Sequence, residues 1–143
     1  MRRLGVARDF CRTRRSSNPC GRRVFFYNIM RKRIYISGPL TSSGNVRENL
    51  ERAMGAARAL IDAGFAPFCP HLTYHIDLGE DIPHSTWMAI ELPWVAVADG
   101  VLLLPGESVG ADIECEHARQ LGIPVFNSVA DLVDHFGMKS AAA

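Results

Sequence analysis

The run Ser108-Val109-Gly110-Ala111-Asp112-Ile113-Glu114 places a hydroxyl, a glycine and a carboxylate at the start of one helical pattern. Ser108 and Gly110 line a cup in which the first amides of the helix, lacking partners within it, are available to an anion. Glu114, one turn inside, aims a carboxylate at whatever that cup holds, and the helix dipole favours its ionised form. A second carboxylate, Glu91, stands between Trp87 and Trp94 at helical spacing, where aromatic walls would desolvate it and push it towards a proton donor's range. An ionised and a protonated carboxyl facing one ligand can act as nucleophile and acid.

Those groups need elements to hold them. Val101 to Leu104, bracketed by Asp99-Gly100 and Pro105-Gly106, reads as a short strand buried on both faces. The helical pattern after it runs from Ala111 to Leu121 and stops at Gly122. Upstream, a strand at Ile34-Tyr35-Ile36 leads into the small-residue loop Ser37-Gly38-Pro39-Leu40-Thr41. Asn45 and Glu48 form a capping-box-like pair. Behind them Leu50, Met54, Ala57 and Ile61 give an apolar stripe that ends at Gly64. Arg47, in the first turn of that helix, is the arginine nearest the loop, whereas Arg52 and Arg58 read as a solvated face. Phe65 to Cys69 is a second strand, placed at a sheet edge by Pro67. Ser85 caps a helix from about Thr86 to Val97, which Pro93 should distort. Ile123 to Phe126 forms the fourth strand, Asn127-Ser128 its exit, and Val129 to Phe136 the last helix.

Strands and helices alternate four times, which predicts a parallel sheet with right-handed crossovers. Three strand ends, at Ser37-Gly38, Gly106 to Gly110 and Asn127-Ser128, then share one edge. Between Pro70 and Pro83 lies a long polar and aromatic loop of the kind that forms lids and binding loops. Its His71, His75 and Asp77 invite a metal, but Pro70 and the missing helical period argue against a helix that would align them. No cysteine pair supports zinc, so no metal is expected.

With 143 residues and 48% hydrophobic content the chain suits one domain, and no apolar run approaches the ~20 residues of a membrane span. Its net charge of +1 conceals an asymmetry: residues 1–33 carry eleven Lys/Arg against one acid, and the rest carries five against fourteen. The division expected is a basic, disordered or artefactual leader over residues 1–32, a domain over 33–137 and a frayed tail over 138–143. Met30 is an alternative start, and Val24 to Tyr27 a possible added strand. A leader of this composition also fits a transit peptide or an arm for nucleic acid or membrane. The domain itself calls for neither partner. Cys69 and Cys115 read as buried structural thiols, which fits a reducing cytoplasm.

Taken together, Tyr35-Ile36-Ser37-Gly38-Pro39, Glu91-x-x-Trp94 before Ala98-Asp99-x-Val101-Leu102, and Ser108-x-Gly110-Ala111-x-x-Glu114 resemble the nucleoside 2-deoxyribosyltransferase-like superfamily. The similarity spans about Ile34 to Phe136. It implies a flavodoxin-like (Rossmann-like) α/β three-layer fold with a four- to five-stranded parallel sheet. It also implies cleavage of an N-glycosidic bond with Glu114 as nucleophile, Tyr35 beside it, and Glu91 where the family usually has an aspartate. Ser37, Gly38, Pro39, Arg47, Ser108, Gly110 and Ala111 are then the substrate-binding candidates. Ser108 matches the phosphate loop of the nucleoside 5'-monophosphate hydrolases, whereas the transferases tend to carry an acid there. In those hydrolases a serine of the neighbouring subunit completes the phosphate site, and Ser128 is the candidate. The resemblance further implies a homodimer or higher oligomer, a nucleotide or nucleoside substrate, and no cofactor. Hydrolysis of a monophosphate is the reading favoured here. The alternatives are base exchange between nucleosides, or a nucleotide sensor without turnover.

Overall fold

A short apolar run between turn residues forms a strand, and an apolar stripe at 3.6 spacing behind a cap forms a helix. In the computed structural model, which describes residues 31–42, 44–76 and 82–137, these rules place nearly every element. The order is β1 (Arg33–Ser37), α1 (Val46–Asp62), β2 (Ala66–Phe68), a 3-10 helix (Pro70–Ile76), α2 (His84–Ala96), β3 (Gly100–Leu103), α3 (Val109–Gln120), β4 (Val125–Phe126) and α4 (Val129–Phe136). The proposed leader strand at Val24 to Tyr27, the tail and Asp77 lie outside the described residues.

All four strands are parallel, in the order β2-β1-β3-β4. Pro67 does sit in an edge strand. The chain moves outward from β1 to β2, then crosses back to β3 and on to β4. The reversal falls between β1 and β3, where open α/β sheets hold their ligands.

Strand alternation divides the core. Ile34 and Ile36 of β1 pack with Leu102, Leu104, Ala53, Leu60 and Leu132 under α1 and α4. Tyr35 points to the opposite face and packs with Val101, Val95, Cys115 and Ala118 under α2 and α3. Ser37, two residues after Tyr35, shares that second face. This two-residue period decides which side chains of β1 can meet α3.

Three local expectations are corrected. The segment after β2 is helical from Pro70 to Ile76, because a proline at the start of a helix forfeits no bond and Thr73 Oγ1 ties back to the Pro70 carbonyl at 2.6 Å. The helix α2 begins at His84 behind Pro83, which has no capping side chain, so Ser85 lies inside it. Pro93 is carried within α2, exposed and in its last turn, and the helix continues through it to Ala96. Asn45 caps α1 as expected, accepting from the Glu48 amide at 3.2 Å while donating to the Glu48 carboxylate at 2.9 Å. Cys115 is buried, but Cys69 is only half-buried; both are free thiols.

Candidate active site

The buried stripe of α3 is Ala111, Glu114, Cys115 and Ala118. Its spacing is that of an ordinary core-facing helix, but one position holds a carboxylate. Glu114 is 4% exposed. A buried carboxylate is tolerated only with donors around it, and β1 supplies them from its α3-facing side. Tyr35 donates its hydroxyl to Glu114 Oε1 at 2.6 Å, and Ser37 donates to Oε2 at 2.5 Å. Behind Tyr35 an aromatic series continues through Phe68, with ring centroids 5.8 Å apart, to Trp94, stacked on Phe68 at 4.8 Å.

The carboxyl of Glu91, from α2, is near enough to Glu114 to share a hydrogen bond. Burial first, and the neighbouring Glu114 charge second, push Glu91 up to about 8. Burial also raises Glu114 above the ordinary glutamate range, against the pull of Ser37, Tyr35, Glu91 and the charge of His84. The dipole-based expectation of an unraised Glu114 is thus corrected: desolvation outweighs the helix terminus. Between the two, Glu114 gathers the donors, so the shared proton belongs on Glu91. Tyr35, buried beside that charge, is held far above the usual tyrosine range and stays a donor.

Above Glu114 and Glu91 opens a cavity of about 360 Å³. Gly38 lines it at the end of β1, and Ser108, Gly110 and Ala111 line it at the start of α3. Ser108 caps α3, accepting from the Ala111 amide at 3.3 Å. Its own hydroxyl proton remains free to be donated to a ligand. Gly38 must be glycine, since a Cβ there would lie 2.7 Å from Leu104 Cβ. A Cβ on Gly110 would come no closer than 3.4 Å to Met88 and 3.5 Å to His84, ordinary contact, and Gly110 forms part of the cavity wall.

The remaining candidates are not brought to the cavity. Ser37 lies beneath Glu114 as its donor, not in the wall. Pro39 is buried beside Gly106. Arg47 does not line the cavity: its side chain is 90% exposed and paired with Glu51 at 2.9 Å. It begins α1 on the solvent side. Ser128 caps α4, accepting from the Asp131 amide at 3.1 Å, and does not line this chain's cavity. Trp87 walls the cavity beside Glu91, but Trp94 turns away to stack on Phe68.

Two wall residues, His84 and Ser42, escaped sequence reasoning, and His71, weighed above only as a metal ligand within a binding-loop segment, joins them in the wall. His71 is 3% exposed, and neither ring nitrogen makes a hydrogen bond. The Gly38 and Pro39 carbonyls lie near enough to favour its charged form without meeting bonding geometry, and burial outweighs them, holding the imidazole below the usual histidine range. His75 is exposed, and among the described residues no three metal-binding side chains cluster. No helix among those residues is long and apolar enough to cross a membrane.

A parallel α/β sheet with a buried, donor-rich carboxylate pair at its switch point is the class defined by this fold and site. Within it, the chain belongs to the family described as Domain of unknown function (DUF7768), whose model matches residues 32–128. No curated protein matches the chain in sequence. Among solved structures it is similar to a 2-deoxyribosyltransferase from the psychrotolerant bacterium Bacillus psychrosaccharolyticus. That match has 21% identity and a TM-score of 0.53, covering 65% of this chain and 69% of the other. It is also similar to a conserved protein from Enterococcus faecalis, at 20% identity and a TM-score of 0.52, covering 75% of each chain. The flavodoxin-like fold expected from the motifs is therefore a nucleoside 2-deoxyribosyltransferase-like fold.

Proposed function

We propose that the chain cleaves the N-glycosidic bond of a nucleoside 5'-monophosphate, releasing the free base and a sugar phosphate. The observation that carries this reading is Glu114, a buried carboxylate held by two hydroxyl donors, with a second carboxyl, Glu91, in the same cavity wall. Such a pair suits a carbon that becomes oxocarbenium-like as its leaving group departs.

In the first step a Glu114 oxygen bonds to C1' as the C1'–N bond breaks. The electron pair of that bond leaves with the base, which takes the proton of Glu91. Glu91, now a carboxylate, removes a proton from water as the water oxygen bonds to C1'. The ester bond to Glu114 breaks, and both carboxyls return to their starting states. Tyr35 and Ser37 keep Glu114 oriented throughout. The phosphate sits against the Ser108 hydroxyl and the first amides of α3, so that remote binding fixes C1' over Glu114. Ser128 of a neighbouring copy would add a further hydroxyl in a homodimer.

Transfer of the sugar to a second base is the other reading, favoured by the fold shared with a 2-deoxyribosyltransferase. Only the second step differs, with a base nitrogen in place of water. Incubation with a panel of nucleotides and nucleosides, with chromatography of the products, separates the two. Free base from monophosphates alone is the expected result. Base exchange on unphosphorylated nucleosides would replace hydrolysis by transfer, and no reaction with any member would overturn both.

A further inference from the structure

The loops that form the cavity are tied to α1 and to each other by side chains outside the reacting centre. On one face of α1, three residues apart, Asn49 donates to the Leu40 carbonyl at 2.8 Å and Arg52 donates to the Pro105 carbonyl at 3.1 Å. Leu40 belongs to the loop leaving β1, Pro105 to the loop leaving β3. Ser42 of the first loop donates to the Glu107 carbonyl of the second at 2.9 Å. Arg52 is itself steadied by Glu48 at 3.0 Å. Between the two anchored carbonyls lies Gly106, at φ +122°, where a Cβ would stand 2.8 Å from the Pro39 ring.

A trans peptide points its carbonyl and its amide in opposite directions. Holding the Pro105 carbonyl therefore sets the Gly106 N–H, and holding the Glu107 carbonyl sets the Ser108 N–H. Ser108 also caps α3 and lines the cavity. We infer that Arg52 and Ser42 are positioning residues: together they brace the loop from Pro105 to Ser108 so that the Ser108 amide and hydroxyl, at the cavity wall, meet the 5'-phosphate. This rests on the monophosphate reading above and gives Arg52 a role that its place on a solvated helix face conceals. Neither residue touches the reacting atoms, so the brace governs phosphate affinity and leaves bond cleavage alone.

The test is calorimetric binding of a nucleoside 5'-monophosphate and of the same nucleoside without phosphate. It uses the full chain, Arg52→Met, Arg52→Lys and Ser42→Ala, with the thermal midpoint of each. Arg52→Met and Ser42→Ala should each weaken monophosphate binding roughly three- to tenfold. In Arg52→Met nucleoside binding and the midpoint should stay unchanged, and Arg52→Lys should recover part of the loss. In turnover by Arg52→Met, whose altered side chain lies outside the cavity wall, the same loss appears in KM, with kcat within about twofold. Unchanged monophosphate affinity in both variants, in a parent that prefers the monophosphate, overturns the brace alone. So does an equal loss on both ligands. A parent with no preference for the monophosphate defeats the phosphate reading, and the brace's role in it, together.

Discussion

Replacing Glu91 by Gln removes the proton donor while keeping its volume and a hydrogen-bonding amide. At about 8, Glu91 is about 90% protonated at pH 7, whereas an ordinary glutamate near 4.5 would be about 0.3% protonated. The environment of α2 thus enriches the acid form at neutral pH by about 300-fold. Because the group is raised, its acid form is present below about pH 8 and is lost above it. Turnover by the parent should accordingly fall about tenfold per pH unit beyond 8, and at low pH as Glu114 takes up a proton. In Glu91→Gln the basic limb should vanish and the rate on bases that leave poorly should drop by roughly 10²–10⁴. Stability follows the same sign. A carboxyl raised in the folded state contributes stability that is complete below its unfolded value and lost as pH rises through the folded one. The parent's thermal midpoint should therefore decline between about pH 5 and 9, and that of Glu91→Gln should be flatter. Rates on one monophosphate from about pH 5 to about pH 10, with midpoints in the same buffers, measure both. A basic limb that persists in Glu91→Gln would show that another group holds the proton, and the division of roles between the two carboxyls would fall.

Glu114→Gln should abolish turnover yet leave monophosphate affinity within a few-fold by calorimetry, since the phosphate contacts lie elsewhere. Tyr35→Phe keeps the ring against Phe68 but loses the donor to Glu114. A hydrogen bond to a charged group is worth about 1.5–3 kcal/mol, so kcat should fall roughly 10- to 100-fold with unchanged circular dichroism. Gly38→Ala drives a methyl into Leu104 Cβ and should cost about 1–3 kcal/mol in denaturant unfolding. Gly110→Ala meets only ordinary contacts, so it should leave stability nearly unchanged and weaken monophosphate binding.

The frame was legible because each element carries its own punctuation. Asn45 and Gly64 bracket α1, Asp99 and Pro105 bracket β3, and Pro67 sends β2 to the edge. The start of α2 falls two residues before the one Ser85 suggests, because Pro83, with no side-chain cap, occupies the cap position. Residue roles were harder wherever they depend on helical phase. Arg47 and Arg52 look alike in the sequence, and nearness to the loop favoured Arg47. The phase of α1 instead turns Asn49 and Arg52 towards the loops and Arg47 into solvent. Only the packing of the hydrophobic stripe against the sheet fixes that phase, and the stripe alone leaves it uncertain by a residue or two.

Glu114 stands out in the sequence as a carboxylate one turn inside a helix that opens on an anion cup, and the structure adds a conflict of rules. The stripe Ala111, Glu114, Cys115, Ala118 asks for an apolar side chain, and a carboxylate there costs several kcal/mol unless donors meet it. What the stripe cannot name is where the donors come from. They come from β1, because Tyr35 and Ser37 are two residues apart and share the face towards α3. Ser37 thus reads in isolation as a loop hydroxyl for substrate, but in register with Tyr35 it is the second donor to a buried charge. Both of Glu114's oxygens are fixed from the central strand, so its position follows the sheet rather than any loop. A nucleophile must stand within a fraction of an ångström of its target. A helix stripe pinned to the middle of a parallel sheet meets that requirement in a way that the polar segment after β2 could not.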